Sequence, residues 1–180
     1  MFENIIRQTS NGVNDLNEQF GHIYDQYIEK IYRFVYLKVN SQEIAEDITS
    51  KVFLKGWEAY QTRAENIKNP NAFLYQIARN SVIDYYREKG RTKVVSTEVS
   101  PQMVQPGKNL QEKAIINADF EAVKSAIQGL KKDYQDIIIW HYVDDISVAE
   151  IAKTLNKPAG TVRVMLHRGL KDLKNIIQKS

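Results

Sequence analysis

The chain has 180 residues, enough for one domain or two small ones, and 43% of them are hydrophobic, enough for a globular core. Its lack of cysteine excludes disulfides, thiol catalysis and cysteine-based zinc sites. The net charge of +3 is unevenly placed: residues 1–90 hold eleven Lys/Arg against twelve Asp/Glu, and residues 91–180 hold fourteen against ten, which points to a nucleic-acid contact in the second half.

Residues 1–15 are polar, with a breaker at Ser10-Asn11-Gly12, and are expected to fray. Arg7, Asp15 and Glu18 interrupt any apolar run, so no signal peptide is expected there. From Leu16 to about Val39, Phe20, Ile23, Tyr24, Tyr27, Ile28, Ile31, Phe34, Val35 and Leu37 form the broad apolar face of a helix. Ser41 caps a second helix with Ile44, Ala45, Ile48, Val52, Phe53 and Trp57 inward, and Gln61 to Asn69 reads as a loop. Pro70 suits the first turn of a third helix, which runs to about Lys89 with Phe73, Ile77 and Val82 in the core. Residues 91–109 are rich in turn formers and poor in helical period, so they read as a flexible linker. Helices follow at about 110–129 and 132–142.

Residues 147–173 read as a helix-turn-helix. Ser147 and Glu150 spell a capping box, Ile151, Ala152 and Leu155 form an inner face, and Asn156-Lys157-Pro158 breaks the helix. A second helix restarts near Gly160, with Thr161 as its expected cap. Val162, Leu166 and Leu173 face inward, while Arg163, Val164, His167, Arg168 and Lys171 share the opposite face. Residues 147–180 carry seven Lys/Arg and two Asp/Glu, so the outer face is basic, as entry into a DNA major groove requires. No strand pattern competes, and the fold class is all-α: two small helical domains joined by a linker. The domains divide as 16–90 and 110–180, flanking 91–109. No apolar stretch approaches the roughly 20 residues that span a bilayer, so no membrane insertion is expected.

Taken together, these motifs resemble those of bacterial RNA polymerase sigma factors of the extracytoplasmic-function (ECF) group. The resemblance covers about residues 20–90 and 112–177. Ala45-Glu46-Asp47 followed by Val52-Phe53 resembles the second conserved sigma region. Asn69 to Asn80, with Asp84-Tyr85-Tyr86-Arg87, resembles the segment that melts and reads the promoter −10 element. Glu150-Ile151-Ala152, Gly160-Thr161-Val162 and Leu166-His167-Arg168-Gly169 resemble the fourth region, which reads the −35 element. Both motif sets in this order, without an acidic N-terminal extension or a middle domain, fit the ECF group.

The resemblance implies a sigma region 2 bundle, a sigma region 4 helix-turn-helix, no catalysis and no cofactor or metal. It assigns Tyr75, Arg79, Asn80, Asp84, Tyr85, Tyr86 and Arg87 to −10 DNA, and lets the 61–69 loop shape a pocket for one flipped base. Interleaved rings and cations suit that task, because unpaired bases stack on aromatics worth roughly 1–3 kcal/mol each. Pattern alone leaves Tyr85 and Tyr86 evenly divided between this role and a cap on the core. Thr161, Arg163, Val164, His167, Arg168 and Lys171 are assigned to −35 DNA, with Lys171 and Lys174 suited to phosphates. Val164 and Met165 stand where the family commonly carries a serine and an arginine; Val164 donates no hydrogen bond but suits a thymine methyl. Glu46, Asp47, Lys51 and Lys55 are assigned to the clamp helices in the largest subunit of core RNA polymerase. Promoter DNA and an anti-sigma factor are the further implied partners, and the cytoplasm the implied location. The alternatives are a conventional helix-turn-helix regulator that binds duplex DNA without polymerase, and a nuclease, for which no metal-ligating or nucleophilic arrangement is present.

Overall fold

A computed structural model describes residues 2–39, 41–92 and 120–178, with side chains described over 15–39, 41–90 and 120–178. All regular structure among them is helical. The first unit comprises α1 (Phe2–Lys38), α2 (Gln42–Arg63) and α3 (Pro70–Thr92). The second comprises α4 (120–128), α5 (Lys132–Ile138), a π turn (Ile139–Val143), α6 (Val148–Leu155) and α7 (Ala159–Ile177).

Local signals set most boundaries. Ser41 caps α2 by accepting the Ile44 N–H at 3.4 Å, and Asn69 Oδ1 accepts the Ala72 N–H at 3.1 Å at the head of α3. The Ser147–Glu150 capping box forms as expected: the Glu150 N–H donates to Ser147 Oγ at 3.2 Å, and the Ser147 N–H donates back to Glu150 Oε2 at 3.1 Å. Asn156 ends α6 in the left-handed region (φ 51°), a conformation its short amide tolerates.

Three boundaries depart from expectation. Helix α1 begins at Phe2, so helical backbone runs through the segment expected to fray. The loop expected at 61–69 is shorter, because α2 continues to Arg63 and a 3₁₀ turn fills Ala64–Asn66. Thr161 does not cap α7. Pro158 holds that place in extended backbone, which puts Thr161 inside the first turn. Helix α3 continues to Thr92, and the rest of the expected linker lies outside the described residues.

Each unit has its own core. Ile31, Phe34, Val35, Val52, Leu74 and Val82 bury the first, and Ile137, Ile151, Val162 and Leu166 the second. The two cores are continuous. Trp140, 1% exposed, stacks on Phe34 at 5.9 Å and meets Tyr75 edge-on at 5.6 Å. Gln128 adds hydrogen bonds from the second unit to the carbonyls of Leu37 and Val39.

Candidate nucleic-acid interfaces

Helix α7 presents the basic face that its sequence spells out. Val162, Leu166 and Gly169 are buried against the second unit, and Thr161, Arg163, Val164, His167, Arg168 and Lys171 are exposed together. Among the described residues, no carboxylate pairs with Arg163, Arg168 or Lys171, so their charge is available to an anion. Val164 is 49% exposed, an apolar side chain held out amid cations. Met165 is half-buried and flanks the core.

Helix α3 divides its seven assigned residues between two faces. Asn80, Asp84 and Arg87 lie exposed in one row, with Arg87 3.5 Å from Asp84. Tyr85 is half-buried, its ring 5.1 Å from Tyr86 and its hydroxyl 3.4 Å from Lys89 Nζ. Tyr86 is half-buried too, and its hydroxyl donates to the Lys38 carbonyl. Tyr75 and Arg79 face the second unit. The Tyr75 hydroxyl donates to Asp144 Oδ2 at 2.7 Å, and its ring is 1% exposed. Arg79 donates from Nε to Asp136 Oδ2 at 2.7 Å and from a terminal nitrogen to Asp133 Oδ1 at 2.8 Å. Arg33 donates to the other oxygen of Asp144 at 3.0 Å, and Lys38 donates to the other oxygen of Asp136. In this arrangement, then, Tyr75 and Arg79 are held by the protein itself.

Burial colours this junction. It pushes the Tyr75 hydroxyl well above the usual phenol range, with the Asp144 charge adding to the effect. It also raises the Asp144 carboxyl, against the opposing pull of the Tyr75 hydrogen bond and of Arg33. It lowers the Lys38 ammonium although Asp136 favours the charged form. At Arg79 burial acts against the charge but is outweighed by Asp136 and Asp133, and the guanidinium is raised.

Residues 66–69, Ala72, Phe73 and Gln76 line an open crevice of about 310 Å³ beside the 3₁₀ turn. Lys153 and Thr154 of α6 form its far wall.

On α2, Glu46, Asp47, Lys51 and Lys55 are exposed as a mixed-charge face, with Lys51 2.6 Å from Asp47 and Gln42 bonded to Glu46 at 2.8 Å. Leu54 stands on that face and is 58% exposed. Sequence reasoning missed it, although its spacing from Lys51 and Asp47, at i+3 and i+7, places it off the buried stripe. No group of described residues is arranged to hold a metal ion, and no described helix is long and apolar enough to cross a membrane.

The pattern of sigma-70 region 2 matches residues 23–92, and that of sigma-70, region 4 matches residues 120–173. The ECF RNA polymerase sigma factor SigW of Bacillus subtilis (strain 168) is 31% identical over 183 residues, covering 97% of this chain and 95% of the relative. The ECF RNA polymerase sigma factor BldN of Streptomyces coelicolor is 26% identical over 160 residues; the match covers 89% of this chain and 61% of that relative's length. The sigma factor RpoE, solved in complex with the anti-sigma factor NepR from Bartonella quintana, has a like fold: TM-score 0.70 at 20% identity, over 89% of this chain and 98% of that one.

Proposed function

This chain belongs to the ECF group of RNA polymerase sigma factors, and we propose that it works as one, as a non-enzymatic promoter-specificity subunit acting in the cytoplasm. The exposed cationic face of α7, unpaired among the described residues, carries the −35 part of this reading. Thr161, Arg163, Val164, His167, Arg168 and Lys171 enter the major groove. Arg163 and Arg168 reach guanine edges or phosphates, and Val164 packs on a thymine methyl. Residues 16–90 form the unit that opens the −10 element: Asn80, Asp84, Tyr85, Tyr86 and Arg87, with Tyr75 and Arg79 once they are released, hold the separated strand. The crevice beside residues 66–69 receives one flipped base.

Core polymerase docks on α2. Glu46, Asp47, Lys51 and Lys55 supply charge complementarity to the clamp helices of its largest subunit, and Leu54 supplies the apolar anchor that such an interface needs. Residues 91–109 tether this unit to residues 110–180. An anti-sigma factor is a further partner of the kind the RpoE relative is solved with. The match to both sigma regions in one chain disfavours a conventional regulator that needs no polymerase.

Run-off transcription with core RNA polymerase and genomic promoter fragments tests the reading. Discrete transcripts that require both components are expected, and duplex binding by the chain alone with no transcripts would refute it. Arg168→Ala is expected to weaken −35-dependent initiation while core polymerase binding persists. If Arg168 meets a phosphate, the salt dependence of DNA binding falls by about one unit of slope.

A further inference from the structure

We propose that the crevice between the end of α1, α3 and the α4–α5 elbow binds a small phosphate ester bearing hydroxyl groups. Lys38 and Tyr86 of the first unit and Gln128, Lys132 and Gln135 of the second line a space of about 240 Å³. That is slightly below the roughly 300–1,000 Å³ of drug-sized sites, so the occupant is small.

The charge of the walls selects an anion. Lys38, Arg79 and Lys132 gather round one buried carboxylate, Asp136, which takes Lys38 on one oxygen and Arg79 on the other. Asp133 meets Arg79 from a side chain that is 58% exposed. Lys132 has no carboxylate partner among the described residues, and its ammonium lies 5.5 Å from the centre of the Tyr86 ring. Burial lowers the Lys38 ammonium, Asp136 pulls the other way, and the Arg79 and Lys132 charges lower it further. Three cations thus crowd two acids, one of which stands at the rim. An anion in the crevice relieves that crowding, and ammonium bonds to phosphate oxygens are of the strong, charge-assisted kind.

The two carboxamides add a demand for donors. Gln128 spends its N–H groups on the Leu37 and Val39 carbonyls, and Gln135 spends its own on the Gln128 and Leu130 carbonyls. Each side chain keeps its Oε1 as an acceptor, with no donor to it among the described residues. A bare phosphate has nothing to offer them, whereas the hydroxyls of a phosphorylated polyol do. Because the walls come from both units, ligand and docking favour one another by the same factor.

Calorimetric titration of the full chain with glycerol phosphate, referenced to sodium chloride at matched ionic strength, tests the site. Saturable binding with one site per chain is expected, with inorganic phosphate weaker and glycerol silent. Lys132→Gln is expected to weaken glycerol phosphate at least ~10-fold, the loss of one bond to a charged group. Lys131→Gln, an exposed neighbour outside the crevice, should leave it unchanged, as should Arg163→Ala/Arg168→Ala on the distant basic face. Absence of saturable binding overturns the proposal, and so does equal weakening by the two lysine variants, which marks diffuse surface charge. Loss confined to Arg163→Ala/Arg168→Ala places the anion on α7 and overturns it too. Glycerol phosphate binding no tighter than phosphate removes the hydroxylated ligand. A short single-stranded oligonucleotide that binds more tightly than glycerol phosphate and is lost in Lys132→Gln gives the crevice to nucleic acid instead.

Discussion

Trp140 joins the two halves of the molecule, and its replacement separates packing from hydrogen bonding. Its ring is almost wholly buried between Phe34 and Tyr75. A buried aromatic of this kind removes on the order of 150–250 Å² from water, worth roughly 4–6 kcal/mol at about 25 cal/mol per Å². Trp140→Ala should therefore cost about 3–5 kcal/mol, in line with other deletions of buried rings. Trp140→Phe should behave differently. It keeps a ring between the same neighbours and deletes an Nε1–H that meets no acceptor among the described residues. Relief of an unsatisfied donor is worth about 1–3 kcal/mol and offsets much of the small cavity left behind. The expected cost of Trp140→Phe is therefore below about 2 kcal/mol. Urea unfolding followed by far-ultraviolet circular dichroism reads both values. If the phenylalanine variant loses as much as the alanine variant, the indole nitrogen has a partner and the reasoning fails. If the alanine variant loses less than about 1 kcal/mol, the ring is not packed between the units at all.

Ser147→Ala should lower the stability of α6 by about 1 kcal/mol at neutral pH through loss of the cap, measured by thermal unfolding. The Ser147 hydrogen bonds hold the Glu150 carboxyl below the usual carboxylate range. A depressed acid contributes stability that is present above its unfolded pKa and lost as pH falls through the folded one, so the gap between wild type and Ser147→Ala should narrow in acid. Gly21→Ala should raise the melting temperature, since nothing lies within 4 Å of the added carbon and a mid-helix alanine gains about 0.5–1 kcal/mol. Gly169→Ala should not show that gain, because its Cβ would crowd Tyr134 Cβ at 3.3 Å and Ile138 Cγ1 at 3.4 Å; equal melting shifts for the two glycines would contradict the close approach of α7 to α5.

Short-range signals carried most of what was legible in the sequence. The Ser147–Glu150 box, Pro70 at the start of α3 and the apolar stripes of α1 and α7 each involve residues a turn or two apart, and each was readable. Thr161 misled because a threonine before an apolar stripe looks like a cap, while Pro158 takes the cap position in extended backbone and the helix already begins at Ala159. The docking of the halves was not legible. Tyr75 and Arg79 find Asp144, Asp133 and Asp136 across separations of 54 to 69 residues, and no local periodicity records such a pairing. The residue types alone suited nucleic acid, and the same aromatic and cationic chemistry accepts a carboxylate equally well.

The π turn at Ile139–Val143 has a consequence for alignment. Asp136, Trp140 and Asp144 are spaced by four, and an unbroken α-helix would rotate each about 40° beyond the last, sending the third well round the helix. The turn closes on an i→i+5 bond, the Asp144 N–H to the Ile139 carbonyl at 3.1 Å, and this wider winding takes much of the drift back. Acid, indole and acid therefore stand in one file against the first unit, like three teeth of a key. Deleting a single residue from 141–143 would set Asp144 four residues after Ile139 and seven after Asp136, where ordinary α winding keeps both acids on one face, whereas α winding without a deletion would carry Asp144 about 80° away from Asp136.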